Sequence, residues 1–115
     1  MNLVESFRFG KIVINGQKYN KDLIVFPDEV KTNWWRKDGH SLCLEDLTAL
    51  YEIETDFLVV GIGSAGIMKV PSDVIQELKQ KEIEVTVLKT PEAVEEYNRL
   101  AKEGERVAGA FHLTC

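Results

Sequence analysis

The chain has 115 residues, 44% of them hydrophobic, and its 14 basic and 19 acidic side chains leave a net charge of −5. That length suits one core and not two, so a single domain over residues 1–115 is expected, and the acidic balance argues against nucleic acid or an anionic membrane as a partner. No apolar run reaches about eighteen residues, residues 1–6 show neither a basic nor an apolar leader pattern, and Cys43 and Cys115 form no CxxC. The expectation is a cytoplasmic protein with no metal and no cofactor.

The first third reads as β structure. Phe7 and Phe9 alternate with polar neighbours, and Ile12-Val13-Ile14 runs into Asn15-Gly16 before Gln17-Lys18-Tyr19, a strong hairpin signal. Leu23-Ile24-Val25-Phe26 is a short apolar strand stopped by Pro27, and residues 30–35 read as another, ending at Trp34-Trp35. From Cys43 the spacing turns helical: Leu44, Leu47, Leu50 and Tyr51 recur every three or four residues, with Glu45-Asp46 where a helix N-terminus favours acids.

The apolar run Phe57-Leu58-Val59-Val60 stops in a cluster of glycines, the pattern of a buried strand entering a tight loop. Pro71-Ser72-Asp73 opens a helix with Val74, Ile75 and Leu78 on one face, and residues 83–88 form the next strand. Thr90-Pro91-Glu92 then supplies a cap, a proline with its φ already set and a first-turn acid. Ala93, Val94, Tyr97, Leu100 and Ala101 face the core, and Gly104 ends the helix. A final strand over residues 106–113 is rich in small side chains. The second half is thus βαβαβ, which predicts an α/β fold with a mainly parallel or mixed sheet, preceded by an N-terminal hairpin or meander.

Several of these segments match a known pattern. Over Lys69-Val70-Pro71-Ser72, Val87-Leu88-Lys89-Thr90, Ala93-Val94-Glu95-Glu96-Tyr97-Asn98, Arg106-Val107, Phe111-His112 and Thr114-Cys115, with Gly61, Gly63 and Trp35-Arg36 upstream, the chain resembles a small domain family. That family is shared by the adipogenesis-associated protein and a mitochondrial assembly factor of respiratory complex I. The resemblance implies three layers, β+α/β/α, in which a central mixed sheet carries helices on one face and a β/α layer on the other. It brings no established catalytic activity, cofactor or substrate, and it implies protein partners, since eukaryotic members are discussed as assembly or regulatory factors. No mitochondrial targeting segment is evident here, so a respiratory role does not simply carry over.

Three constellations are candidates for function. Gly61, Gly63 and Gly66 satisfy the letters of GxGxxG, but the next helix starts about five residues later and Lys89-Thr90 stands where a ribose-binding acid belongs, so a dinucleotide is disfavoured. The loop of Gly61, Gly63, Ser64, Ala65 and Gly66 is then either an anion or small-molecule pocket built of backbone N–H groups, or a close turn over the sheet; the turn is favoured. His112 and Cys115 are candidates for a base and a nucleophilic thiol. Residues three apart on a strand point to opposite faces, however, and no second His/Cys pair completes a metal site. The simpler reading bonds His112 to backbone and leaves Cys115 a plain thiol.

Trp34 and Trp35, adjacent on a strand, should face opposite ways, leaving one as an exposed anchor ringed by Lys31, Arg36, Lys37 and His40, or else covered by the hairpin. Arg106 is expected to hold a carboxylate near Glu103 at the helix–strand junction. The resulting expectation is a non-catalytic protein that binds a protein partner or forms a homodimer through Trp34, Trp35 and Arg36. The alternative is a small-molecule binder or enzyme that uses residues 61–66 with His112 and Cys115.

Overall fold

The computed structural model describes residues 1–115. Strands β1 (Val4–Arg8), β2 (Lys11–Ile14) and β3 (Gln17–Tyr19) form an antiparallel sheet in chain order. Asn15 (φ 49°) and Gly16 (φ 77°) both adopt the left-handed conformation, which lets a two-residue turn follow the twist of the strands it joins. Strand β1 stops at Arg8. Phe9 therefore lies in the next turn, 66% exposed, and Phe7 alone of the two alternating phenylalanines packs against the core.

The central sheet contains β4 (Leu23–Phe26), β5 (Glu29–Lys31), β6 (Phe57–Ile62), β7 (Glu84–Leu88) and β8 (Val107–His112) in the order β5-β4-β8-β6-β7. Strand β8 is antiparallel to β4 and parallel to β6, and β6 is parallel to β7, so the sheet is mixed. Between β5 and β6 a 3₁₀ turn (Leu44–Leu47) leads into the short helix α1 (Ala49–Glu52). The crossovers β6–β7 and β7–β8 carry α2 (Ser72–Gln80) and α3 (Thr90–Lys102). No helix is long and apolar enough to cross a membrane.

Alternation along the central strands divides the apolar side chains between two cores. Leu23, Val25, Val59, Val107 and Phe111 meet α3 and the small sheet through Ala93, Tyr97, Leu100, Ile12 and Ile14. Ile24, Phe26, Leu58, Val60, Ala108 and Ala110 meet α2, α1 and the 3₁₀ turn through Val74, Leu78, Leu50 and Leu47. The layers are thus β1–β3 with α3, then the five-stranded sheet, then α1 and α2, as the resemblance implies. The small sheet is fastened to α3 by polar side chains as well as by packing. The Asn98 side chain accepts the Val4 N–H and donates to the Val4 carbonyl, both at 2.8 Å, and the Tyr97 hydroxyl donates to the Asn2 carbonyl at 2.8 Å.

Two local expectations need correction. The strand expected over residues 30–35 ends at Lys31, because Asn33 turns left-handed (φ 55°) and the Trp34 N–H donates back to the Asp22 carbonyl at 2.8 Å. Both tryptophans therefore lie in a loop. Thr90 is the first residue of α3 and not its cap, and its hydroxyl is used elsewhere.

The small residues of β8 have a packing reason. Phe111 folds its ring back over Gly109, where an added Cβ would lie 2.5 Å from the ring's Cζ, and the same ring meets Tyr97 edge-on with centroids 6.0 Å apart. Gly109→Ala should therefore displace a fully buried ring and destabilise the fold by about 1–3 kcal/mol, read from the urea midpoint.

Candidate functional site

Extending the β4–β8 register one step beyond the Leu23–Phe111 pair sets Asp22 beside His112. His112 Nδ1 lies 2.7 Å from Asp22 Oδ2, and the Leu113 N–H donates to Asp22 Oδ1 at 2.8 Å. Arg36 enters from the tryptophan loop, placing Nη2 2.9 Å from the same Asp22 Oδ2 and 3.2 Å from the Gly39 carbonyl, to which it donates. Nη2 also sits 3.1 Å from His112 Nδ1. Since Asp22 can only accept and Nη2 already faces two oxygens, the proton belongs on Nδ1, donated to Asp22. Arg36 and His112 are both buried, at 8% and 7% exposure.

Burial alone would hold the proton on Asp22. The hydrogen bonds from His112, the Leu113 N–H and Arg36 outweigh it and bring the carboxyl below its ordinary value of 3.8. The ionised carboxylate therefore favours the folded state.

The tryptophan loop is pinned from its other side by Asp46. The Asp46 carboxylate accepts the Lys37 N–H at 3.2 Å and the Cys43 N–H at 3.0 Å, and its carbonyl accepts the Trp34 indole N–H at 2.8 Å. Trp34 is half-buried and lies beneath the Arg36 guanidinium, whose carbon is 4.7 Å from the ring centroid. Trp35, the next residue, is 76% exposed. Burial and the neighbouring Asp46 carboxylate push the Cys43 thiol up, so it stays protonated.

The glycine loop is closed by the residues that follow β8. The N–H of Ser64 donates to the Thr114 carbonyl at 2.7 Å, that of Ile67 to the Cys115 carbonyl at 3.0 Å, and that of Gly66 to the Gly63 carbonyl at 3.3 Å. The Gly63 N–H donates to the Thr90 hydroxyl at 2.9 Å, which in turn donates to the His112 carbonyl at 2.7 Å. A Cβ at Gly63 (φ 99°) would collide with the Cys115 carbonyl group, and at Gly61 it would lie 2.8 Å from the Thr90 hydroxyl, so both glycines serve close approach. Ala65 is exposed at the loop's tip.

The sequence candidates are thus distributed over two linked places. Trp34, Trp35 and Arg36 share a loop whose guanidinium reaches His112. Gly63 and Ser64 lie against residues 114–115, Gly61 against Thr90 and Phe111, and Gly66 against Lys89, while Cys115 is exposed and His112 Nδ1 is turned to Asp22. Of the expected basic surround, Lys31 lies on β5 against Glu29 at 3.0 Å. A groove of about 640 Å³ beside Trp35 is lined instead by Lys21, Arg36 and Lys37, among others. Arg106 reaches past Glu103 to Asp56, at 2.8 Å, and to Glu54.

Asp22 and Lys21 were not legible as site residues. Lys21-Asp22 stands just before an apolar run, and only the pairing of β4 with β8 brings the carboxylate to His112. Asp46, which read as a first-turn acid, could have been found as a capping residue from its spacing to Cys43.

A central mixed sheet with α1 and α2 on one face and α3 with a three-stranded sheet on the other defines a three-layer α/β protein. The chain belongs to the family described as proteins of unknown function DUF498/DUF598, whose pattern matches residues 4–112. It is similar to human NADH dehydrogenase [ubiquinone] 1 alpha subcomplex assembly factor 3, with 31% identity over 110 residues. Those residues cover 93% of this chain and 58% of that protein, so the chain spans little more than half of its relative's length. Among solved structures, MT938 is 30% identical with a TM-score of 0.77, each chain covered in full. A Xanthomonas campestris protein solved by NMR shares the fold at a TM-score of 0.81 and 21% identity, covering 98% of this chain and 85% of that one.

Removing one partner from a buried ion pair leaves the other charge uncompensated, so Asp22→Asn should cost about 3 kcal/mol at neutral pH. The folded-state carboxyl lies below its unfolded value, so its contribution is complete above about pH 4–5 and fades as pH falls through the folded value. Urea midpoints measured between about pH 6 and pH 3 should therefore fall more steeply for the wild type than for Asp22→Asn.

Proposed function

We propose that the 115 residues act as one domain in the cytoplasm, a non-catalytic assembly-type module that docks a protein partner through the loop carrying Trp35. The observation that carries this reading is Trp35 itself: a large aromatic side chain, 76% exposed, on a backbone fixed at the adjacent Trp34, Arg36 and Lys37. An exposed tryptophan on a rigid support loses little entropy on binding and buries much apolar area, the profile of an interface hot spot. The human relative's designation as an assembly factor supports the same class of function. The use of the glycine-loop N–H groups by residues 114–115 and by Thr90 weighs towards a structural part for that loop over anion binding.

Trp34 and Trp35 should behave in opposite ways. Trp34→Ala removes the surface under Arg36 and a hydrogen bond to Asp46, and should lower stability by about 2–4 kcal/mol. Trp35→Ala should leave the melting temperature within about a degree or two, yet weaken association by about thirtyfold, the cost of losing a hot spot of about 2 kcal/mol. Quantitative affinity capture from the native host's extract, comparing wild type with Trp35→Ala, checks this. Equal recovery of every associated protein by the two would refute the proposal.

A further inference from the structure

The groove beside Trp35 has an electrostatic character opposite to that of the chain. Lys21, Arg36 and Lys37 line it together with Asn20, Asn33 and Trp35, on a protein whose net charge is −5. The one carboxylate among the residues lining the groove, Asp22, is turned inward to His112, Arg36 and the Leu113 N–H. On the rim, the Lys37 ammonium has only a loose exposed contact with Glu45 at 3.8 Å, and Lys21 has no ion pair. On the floor, Arg36 Nε and Nη1 are buried and have no hydrogen-bond partner, beyond the guanidinium's stacking on Trp34. Unpartnered N–H groups on a buried cation are rare and costly, and negative oxygen atoms nearby would relieve them.

From this we infer that the groove binds an acidic segment of a partner protein, with carboxylates paired to Lys21 and Lys37 and an adjacent apolar side chain against Trp35. The inference rests on the partner-binding reading above and specifies the partner's chemistry. The rim lysines supply the positive charge in reach of solvent, while the floor guanidinium, paired through Nη2 with Asp22, keeps Nε and Nη1 without an acceptor. The asparagines at positions 20 and 33, both exposed, add side-chain amides able to bond the backbone of an extended segment. The acidic remainder of the surface repels such a segment elsewhere, which confines binding to the groove and makes it salt-sensitive.

The test uses the intact chain, immobilised, and a random dodecapeptide library displayed on phage. Retained sequences should be enriched in Asp and Glu next to an aromatic or aliphatic residue. The double variant Lys21→Glu with Lys37→Glu alters exposed positions only, so it should keep the wild-type circular dichroism spectrum and lose those sequences by about tenfold or more. No acidic enrichment, or acidic sequences retained equally by the double variant, overturns the inference. Non-acidic sequences that bind wild type but not Trp35→Ala overturn the acidic specificity while leaving the partner-binding reading standing. Retention equal among wild type, the lysine variant and Trp35→Ala would remove both.

Discussion

The structure depends on a buried guanidinium. Arg36 carries a permanent positive charge into a region with little water, and its compensation comes from Asp22, a residue in the segment that leads into β4. Because Asp22 also holds the His112 ring and the Leu113 N–H, the ion pair joins three separate stretches: the lead into β4, the end of β8 and the loop after β5. Such a pair adds little net stability over apolar packing, but its failure is costly, so the loop has one favoured placement. That placement sets the direction in which Trp35 leaves the surface.

The C-terminal end of β6, which pairs with His112 through Ile62, depends on a neutral counterpart. The Thr90 hydroxyl bridges the Gly63 N–H and the His112 carbonyl, so the glycine loop, the first turn of α3 and the last residue of β8 meet at one oxygen. Residues 114–115 then lie across Gly63, and the Leu113 carbonyl accepts the Gly10 N–H at 2.7 Å, bringing in the small sheet. Both linkages converge on β8, whose small residues admit the Phe111 ring on one face and the other core on the reverse. The strand richest in small side chains is thereby the one with the most neighbours to accommodate.

Periodicity and turn chemistry carried most of the fold in the sequence. Asn15-Gly16, Leu23-Ile24-Val25-Phe26, Pro71-Ser72 and Gly104 mark their elements because local sterics and apolar alternation decide them. The features that misread are those settled by distant partners. Trp34 and Trp35 look like strand residues on β propensity, but the bond from the Trp34 N–H to the Asp22 carbonyl and the left-handed Asn33 take them out of the sheet. Thr90 has the chemistry of a cap, yet a hydroxyl 27 residues from Gly63 in sequence and touching it in space does more as a bridge. Asp22 and His112 are 90 residues apart, and nothing short of the β4–β8 register joins them. Arg36 was legible as part of a site, but not as its buried floor.

Amide hydrogen exchange at Leu113 and Trp34 tests the account most directly, since each N–H donates to Asp22, one to its side chain and the other to its carbonyl. If Asp22 joins loop and sheet into one unit, both amides should exchange as slowly as those of the core strands β6 and β8, opening only with the whole fold. Fast exchange of Trp34 and Leu113 while β6 and β8 remain protected would show the loop opening by itself, and would contradict the rigid support for Trp35.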